Sequence, residues 1–327
     1  MVRGRLSRSL VIWFWRIIGF YLKLEFPRMN PTLSSLLIAI PFVGLYFIGR
    51  SIPVSPCDFL HEETYNTDGV IDYCGPGDSG FIDLTLRKWP LTLDFDPPQN
   101  LSPGQNRDFE VKISQFDGSP LGGKDVALSH NKKIHLLAVD ESLTDYHHIH
   151  PEPDSIFDGT WRFSLTPKYS GKYVLFFDFI PSRSPRRVLL NSSFFVDGSV
   201  GAESPSSEKL LHFSGARKFS LSKLEDSSDN EGLKLLFRVT DEQDNLVALS
   251  PVMGAFAHLV AFEPNLKGFA HLHPLESVLP ENEKDVYEGA LTFTFSPPKA
   301  GLYRLWAQVR IGDEPETFVP FDLKTGI

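Results

Sequence analysis

From Trp89 onward, short runs of β-branched and aromatic residues alternate with turns rich in Gly, Pro, Asp, Ser and Asn. No long run with a helical period of 3.6 residues interrupts this pattern. Such spacing is typical of β-sandwiches, in which short strands are joined by tight turns. The clearest strands that the pattern predicts are Leu91–Phe95, Phe109–Phe116, Ile134–Val139, Thr160–Leu165 and Lys172–Phe179.

A linker of small and polar residues at 198–207 divides this region into residues 88–197 and residues 208–327. Each part has about the size of an immunoglobulin domain. Both parts contain the motif P-x-x-x-G-x-Y, which suits a turn that enters a late strand, with the Tyr hydroxyl bonded back to the turn. The matched residues are Pro167, Gly171 and Tyr173 in the first part and Pro297, Gly301 and Tyr303 in the second. The sequence therefore predicts an all-β protein with two tandem immunoglobulin-like β-sandwich domains.

The N-terminal 50 residues have a different pattern. Residues 33–49 form an uncharged apolar run, at the short end of the length that crosses a bilayer as a helix. Residues 1–50 hold seven Lys or Arg and one Glu, so that residues 51–327 carry −15 of an overall charge of −9. The positive-inside rule then predicts a single-pass anchor in the cytoplasmic membrane, with the N-terminus inside and the domains in the periplasm or outside the cell.

Two alternatives for this end of the chain stay open. Residues 9–22 are apolar but short and contain Arg16, which favours a helix lying in the membrane interface over a second span. A cleaved signal peptide fits less well than an uncleaved anchor, because the region before the apolar run is unusually long.

Residues 51–87 form a stem between the anchor and the first domain, and they contain both cysteines of the chain. On the oxidising side of a membrane, Cys57 and Cys74 are predicted to form a disulfide. The alternative makes Cys57, His61 and Cys74 metal ligands, but their spacing matches no strong zinc pattern. Two cysteines also exclude a disulfide-dense scaffold and a four-cysteine zinc module.

The composition excludes several classes of function. An acidic globular part does not suit nucleic acid, and no basic face with interleaved aromatic residues is recognisable. Nothing resembles a Ser/His/Asp constellation, a phosphate-binding loop or a dinucleotide fingerprint. Three methionines are too few for a methionine-rich copper carrier, and Met253 is at most an auxiliary ligand.

Six of the ten histidines occupy matched positions in the two domains. Residues 133–151 read KIHLLAVDESLTDYHHIHP and residues 256–274 read FAHLVAFEPNLKGFAHLHP. Each stretch has one histidine, a second thirteen residues later, a third two beyond that, and then proline. The two triplets are His135, His148 and His150, and His258, His271 and His273.

A β-hairpin would bring each triplet together, because opposed residues in an antiparallel pair have a constant sum of residue numbers. A sum of 285 places His135 opposite His150 and Leu137 opposite His148. The corresponding sum of 531 places His258 opposite His273 and Val260 opposite His271. The three histidines of each triplet then share one face, with neighbouring Cβ atoms roughly 5–8 Å apart. Three convergent imidazoles can bind Zn²⁺ or Cu²⁺, so each domain is predicted to bind one divalent metal ion.

Other interpretations of the triplets stay open. The strand Ile134–Val139 and the matching residues Ala257–Phe262 are apolar on both faces, so the histidines can instead be core residues of a structural or protein-interaction module. An open three-histidine zinc ion can also activate water, but no second group is placed to act as acid or base, and we do not expect an enzyme. His147 corresponds to Ala270 and is treated as peripheral.

The pattern H-x-H-P followed by P-x-x-x-G-x-Y resembles uncharacterised bacterial exported domains related to the YtkA-like and FixH-like immunoglobulin-type families. The resemblance covers the histidine hairpin and the Gly–Tyr turn of each half, and none of the stem or anchor. It implies a β-sandwich outside the cytoplasmic membrane that binds metal, beside a metal-handling or membrane protein partner.

Overall fold

The computed structural model describes residues 39–48, 63–65, 71–73, 81–84, 89–183, 187–224, 232–276, 280 and 282–326. The chain divides into two compact units, residues 1–56 and residues 57–327. The first unit contributes one described helix, α1, at residues 39–48. The second unit holds all the strands that the structure describes. Its stem carries three short strands, which are β1 (Glu63–Tyr65), β2 (Ile71–Tyr73) and β3 (Ile82–Asp83).

The first repeat folds into two antiparallel sheets, ordered β11-β10-β6-β7 and β4-β5-β9-β8. The strands are β4 (Leu91–Phe95), β5 (Arg107–Gln115), β6 (Ile134–Asp140), β7 (Tyr146–Ile149), β8 (Glu152–Pro153), β9 (Thr160–Leu165), β10 (Gly171–Phe179) and β11 (Val188–Val196). All five strands predicted from the sequence are present, with ends that differ by at most two residues.

The second repeat has the same plan, with sheets ordered β12-β13-β14-β17 and β19-β18-β15-β16-β3. The strands are β12 (Leu211–Ser214), β13 (Arg217–Lys223), β14 (Leu233–Thr240), β15 (His258–Phe262), β16 (Gly268–Leu272), β17 (Leu291–Phe295), β18 (Gly301–Val309) and β19 (Thr317–Thr325). The stem strand β3 pairs with β16 and extends this sheet by one edge strand. The two β-sandwiches predicted from the sequence are therefore confirmed as an architecture.

Apolar side chains form three separate cores. One fills each sandwich, as the alternation of buried and exposed positions along strands such as β5 requires. The third contains residues of both repeats, including Leu137 and Phe176 of the first and Val260, Phe262 and Trp306 of the second. The sheet containing β6 and β7 thus packs face to face against the sheet containing β15 and β16.

This third core explains why β6 and β15 are apolar on both faces. Every residue of both strands is buried. One face of each strand looks into its own sandwich, and the other looks into the opposite repeat. The expectation that these strands are covered on both sides is confirmed, and the cover is the second copy of the same sheet.

The predicted registers of both hairpins are also confirmed. Leu137 pairs with His148 in the first hairpin, and Val260 pairs with His271 in the second. These pairs have the expected sums of 285 and 531. Because side chains alternate along a strand, each histidine triplet lies on the face that meets the other repeat.

The two Gly–Tyr turns are bonded as expected. Tyr169 N donates to the Tyr173 hydroxyl at 3.1 Å, and the Tyr303 hydroxyl donates to the Lys299 carbonyl at 2.8 Å. Both tyrosines are buried. Their role is therefore structural, at the base of β10 and β18.

The predicted membrane span at 33–49 lies partly outside the described residues. Its described portion, α1, is a ten-residue helix whose apolar side chains, such as Phe42 and Leu45, are exposed within this chain. In the parts of the chain that the structure describes, no helix has the length and apolarity needed to cross a bilayer. The predicted disulfide between Cys57 and Cys74 and the alternative ligand His61 lie outside the described residues.

The third core makes a prediction about two neighbouring residues of β10. Phe176 faces the other repeat, Phe177 faces its own sandwich, and both are fully buried. Phe176→Ala and Phe177→Ala should each lower the free energy of unfolding by about 3–5 kcal/mol, measured by urea denaturation. Phe116→Ala, at a side chain that is 83% exposed, should change it by about 0.5 kcal/mol or less. A cost for Phe176→Ala as small as that control would show that the repeats do not pack together.

Candidate metal centre

The first triplet converges where the two repeats meet. His135 lies on β6, and His148 and His150 lie on and just after β7. The ring centroid of His135 is 5.2 Å from that of His148 and 5.0 Å from that of His150. The ring centroids of His148 and His150 are also 5.0 Å apart. One nitrogen from each ring lies within 4.8 Å of the other two. The triplet predicted from the sequence thus forms a compact set of three imidazoles.

The second compact set contains a histidine from the other repeat. Nitrogens of His258 and His273 lie within 4.8 Å of each other and of a nitrogen of His130, which belongs to the first repeat. The ring of His130 is 4.2 Å from that of His273 and 5.6 Å from that of His258. His271 lies between the two sets, with its ring 5.4 Å from His258 and 5.8 Å from His135. Seven histidines therefore meet at the interface.

His130 occupies a backbone position that side chains rarely adopt. It has φ 51° and is followed by Asn131 with φ 63°, in a tight turn closed by pairing of Ser129 with Lys132. Two consecutive positive φ angles are the signature of a type I′ turn, which favours Asn and Gly. The equivalent turn of the second repeat has Met253 and Gly254 at φ 48° and φ 76°.

His130 could not be predicted from the repeated histidines, because the second repeat has no histidine at the matching position. From this turn to the end of the histidine hairpin, the repeats align with an offset of 123 residues, which places Met253, not a histidine, at the matching position. A search for repeated histidines therefore passes over it. The available signal was the Ser-His-Asn-Lys turn itself, five residues before His135.

Each repeat also supports a histidine of the other repeat. Asp178 on β10 pairs with His135, and Gln308 on β18 pairs with His258 at the matching position. Gln308 contacts the His148 ring at 2.7 Å, and Asp178 Oδ2 lies 3.8 Å from Nδ1 of His271. These contacts cross the interface in opposite directions, as expected for two related sheets packed face to face.

The polar residues behind these supports differ between the repeats. Arg187, just before β11, forms a buried bidentate ion pair with Asp178, with one bond of 2.7 Å from Nε. At the matching position before β19 lies Glu316, which accepts a hydrogen bond from the Gln308 amide nitrogen at 2.5 Å. The position just before the last strand of each repeat therefore carries a basic residue, Arg187, in the first repeat and an acidic residue, Glu316, in the second.

The hydrogen bonds fix the protons of His135 and His148. The Gln308 amide nitrogen donates to Glu316, so the Gln308 oxygen faces Nδ1 of His148. Nδ1 therefore carries the proton and donates a hydrogen bond to this oxygen. Nε2 of His135 donates to the carbonyl of Ser129 at 2.8 Å. The lone pairs of His135 Nδ1 and His148 Nε2 then face each other at 3.0 Å. Such lone pairs repel unless a proton or a metal ion lies between them.

Burial keeps several of these rings neutral. Burial, reinforced by neighbouring histidines, lowers the pKa of His148 to about 3 and that of His150 to about 2. The pKa of His258 and that of His271 are lowered well below the usual range for the same reason. A metal ion requires the neutral form of imidazole, so these rings are in the state that binds metal at neutral pH.

The environment of His258 differs from those of His135 and His148, whose outer ring nitrogens are hydrogen-bonded. His258 is fully buried, and neither of its ring nitrogens has a hydrogen-bond partner among the described residues. Buried polar groups nearly always have a partner, because an unpaired donor or acceptor costs free energy. A metal ion at the second set would supply a partner for one of these nitrogens.

The donor sets fit a divalent transition metal. Both contain only imidazole nitrogens, which suit Zn²⁺ and Cu²⁺. Tetrahedral Zn²⁺ with bonds of about 2.0 Å separates its ligand nitrogens by about 3.3 Å. The separation of 3.0 Å between His135 Nδ1 and His148 Nε2 is close to that value. The outer bonds of these two rings, to a carbonyl and to a glutamine oxygen, are of the kind that orients metal-binding histidines.

His147 lies outside the centre. Its Nε2 is 3.0 Å from Asp145 Oδ2, which also accepts a hydrogen bond from the Tyr173 hydroxyl at 2.7 Å. Burial raises the pKa of the Asp145 carboxyl, but the bonds from His147, Tyr173 and Lys168 outweigh it and bring the pKa to about 2. His147 thus anchors the hairpin loop on the side facing the first sandwich.

The fold and the site define a class of protein, which is a duplicated β-sandwich with a histidine-rich centre between its repeats. One family model, described as a domain of unknown function (DUF8832), matches residues 90–190 and again residues 214–326. The chain belongs to this family, and the two matches coincide with the two repeats. The comparisons do not support the YtkA-like or FixH-like resemblance, and among curated proteins no match was found.

The solved structures that resemble the chain are distant. Domains 5–6 of the S-layer protein SbsC share 12% identity over 71% of this chain and 95% of theirs, with a TM-score of 0.21. The fibronectin(III)-like modules of CbhA from Clostridium thermocellum share 11% over 71% and 93%, with a TM-score of 0.17. A DUF3823 family protein from Bacteroides uniformis shares 14% over 59% and 89%, with a TM-score of 0.16. Scores this low support no inference about function.

The buried ion pair beside the histidines makes a stability prediction. Arg187→Met should lower the free energy of unfolding by about 3–5 kcal/mol, because it leaves the Asp178 carboxylate buried without its partner. Lys124→Met removes an exposed ion pair with Asp158 and should cost about 1 kcal/mol or less. Urea denaturation of both variants measures the difference. If both variants lose about 1 kcal/mol or less, the Asp178 carboxylate is not shielded from water at the interface.

Proposed function

We propose that the protein binds a divalent transition metal, Cu²⁺ or Zn²⁺, in the histidine centre between its repeats. The observation that carries the proposal is the convergence of two sets of three histidines at a buried interface. Its role is metal buffering, delivery or sensing rather than catalysis, and a metal-handling or membrane protein is the partner that such a role requires.

A structural or protein-interaction module with core histidines accounts for the centre less well. Histidines retained for packing should have their ring nitrogens satisfied by neighbours. Among the residues that the structure describes, neither ring nitrogen of His258 has a hydrogen-bond partner, and His135 Nδ1 and His148 Nε2 face each other with lone pairs. A metal ion accounts for both features at once, whereas packing with a shared proton between His135 and His148 accounts for only one of them.

We also propose that the protein is held at the cytoplasmic membrane by residues 33–49, with its repeats outside the cytoplasm. The positive charge of residues 1–50, the apolar side chains of α1 and the acidic remainder support this arrangement. In that compartment a disulfide between Cys57 and Cys74 would form. Cell fractionation followed by protease digestion of intact spheroplasts tests the arrangement, because cytoplasmic repeats would resist digestion.

Metal analysis tests the proposed function directly. The full-length chain, prepared without a histidine tag, should bind Cu²⁺ or Zn²⁺ stoichiometrically in equilibrium dialysis followed by elemental analysis. His148→Ala combined with His258→Ala removes one ligand from each set and should abolish stoichiometric binding. His212→Ala, which changes a histidine of the edge strand β12, is the matched control and should bind like the wild type. A folded wild-type protein that binds no metal would refute the proposal.

The support from Gln308 makes a separate prediction. Gln308→Leu keeps the size of the side chain but removes the acceptor that orients His148, so metal affinity should fall about 10- to 100-fold. Gln105→Leu, at an exposed position away from the centre, should leave affinity unchanged. Titration calorimetry with ZnCl₂ measures both. An unchanged affinity in folded Gln308→Leu would mean that His148 needs no partner from the second repeat.

A further inference from the structure

We propose that the two histidine sets form one dinuclear metal centre, in which two ions share an environment built jointly by the repeats. The inference rests on the proposed function and goes beyond it, since two independent sites, one in each repeat, would serve equally well for buffering. Three observations carry it: the distance between the sets, a small cavity that touches both of them, and the origin of His130.

The two sets lie next to each other. The rings of His130 and His135, one from each set, are 6.0 Å apart. An ion lies about 3 Å from the centroid of a ring that binds it, given a metal–nitrogen distance of about 2.0 Å. Two bound ions are therefore at most about 12 Å apart. His271 lies between them, with its ring 5.5 Å from that of His148 and 4.8 Å from that of His273.

A small cavity of about 10 Å³ lies among these rings. Its lining includes His130 and His273 of one set, His135 of the other, and His271. A volume of this size holds one water-sized oxygen atom. The cavity thus offers a place for a single water or hydroxide ligand within reach of both sets, which each ion needs to complete a three-histidine shell.

Because it includes His130, the second set contains residues of both repeats. His130 reaches that set from a turn of the first repeat, with a positive φ of 51° that is uncommon for residues other than glycine. Strained residues of this kind cluster at functional sites, where the surrounding structure holds them in place. His130 also lines a larger surface cleft of about 410 Å³, together with Met253 of the equivalent turn. The ring of His130 therefore lines both the cleft and the inner cavity.

Electron paramagnetic resonance of the full-length protein saturated with CuSO₄ tests the inference. The wild type should hold two Cu²⁺ per chain and give either a half-field signal or a spin count below its copper content, because the ions are coupled. His130→Asn keeps the turn, since Asn tolerates a positive φ, and should bind one Cu²⁺ with a simple uncoupled spectrum. His212→Ala should match the wild type.

The outcomes separate the two proposals. Two bound ions with full, uncoupled spin intensity would overturn the dinuclear centre and leave the proposed metal binding intact. A folded His130→Asn variant that still holds two coupled ions would overturn the assignment of His130 as a ligand from the opposite repeat. A wild type that binds no copper and no zinc would overturn both proposals together.

Discussion

The packing of one sheet from each repeat against the other is the constraint on which the rest of the structure depends. It buries the second face of β6 and β15 and creates a third apolar core around Phe176 and Phe262. Apolar residues at these positions would otherwise be exposed to water, at a cost of roughly 25 cal/mol for each Å². The same packing places histidines in a region from which water is largely excluded. Neutral rings, short nitrogen–nitrogen separations and unsatisfied ring atoms all follow from that burial.

Duplication supplied the frame of the centre, and divergence made its two halves unequal. The hairpin, its register and the three repeated histidines are retained in both halves. The supporting positions have changed, from Asp178 to Gln308 on the inner strand and from Arg187 to Glu316 beside it. The turn position has changed from His130 to Met253. The bond between Gln308 and His148 and the contact of Asp178 with His271 tie these divergent positions to the opposite repeat as well as to their own.

The sequence was sufficient for the local geometry but not for the interface. A constant residue sum and a two-residue alternation are properties of any antiparallel hairpin, so the pairs Leu137–His148 and Val260–His271 could be predicted. Apolar residues on both faces of β6 showed that each face is covered, but periodicity does not identify what covers it. His130 and Gln308 are invisible to the same reasoning, because they reach the centre from other strands or turns and only the packing of the repeats brings them there.

A centre at such an interface links metal binding to the association of the repeats. Burying polar and charged groups between two sheets costs more free energy than burying aromatic residues. The interface nevertheless buries neutral histidines and an ion pair beside its aromatic residues. An ion bound by residues of both repeats stabilises the packed arrangement over any arrangement in which they separate, by an amount that grows with the concentration of free metal. Under the proposed function, the apolar part of the interface would hold the repeats together without metal, and the histidine part would make their association depend on the metal concentration. Such an arrangement would suit a protein that senses or delivers metal. Metal binding would change the contact between the two repeats and leave each sandwich intact.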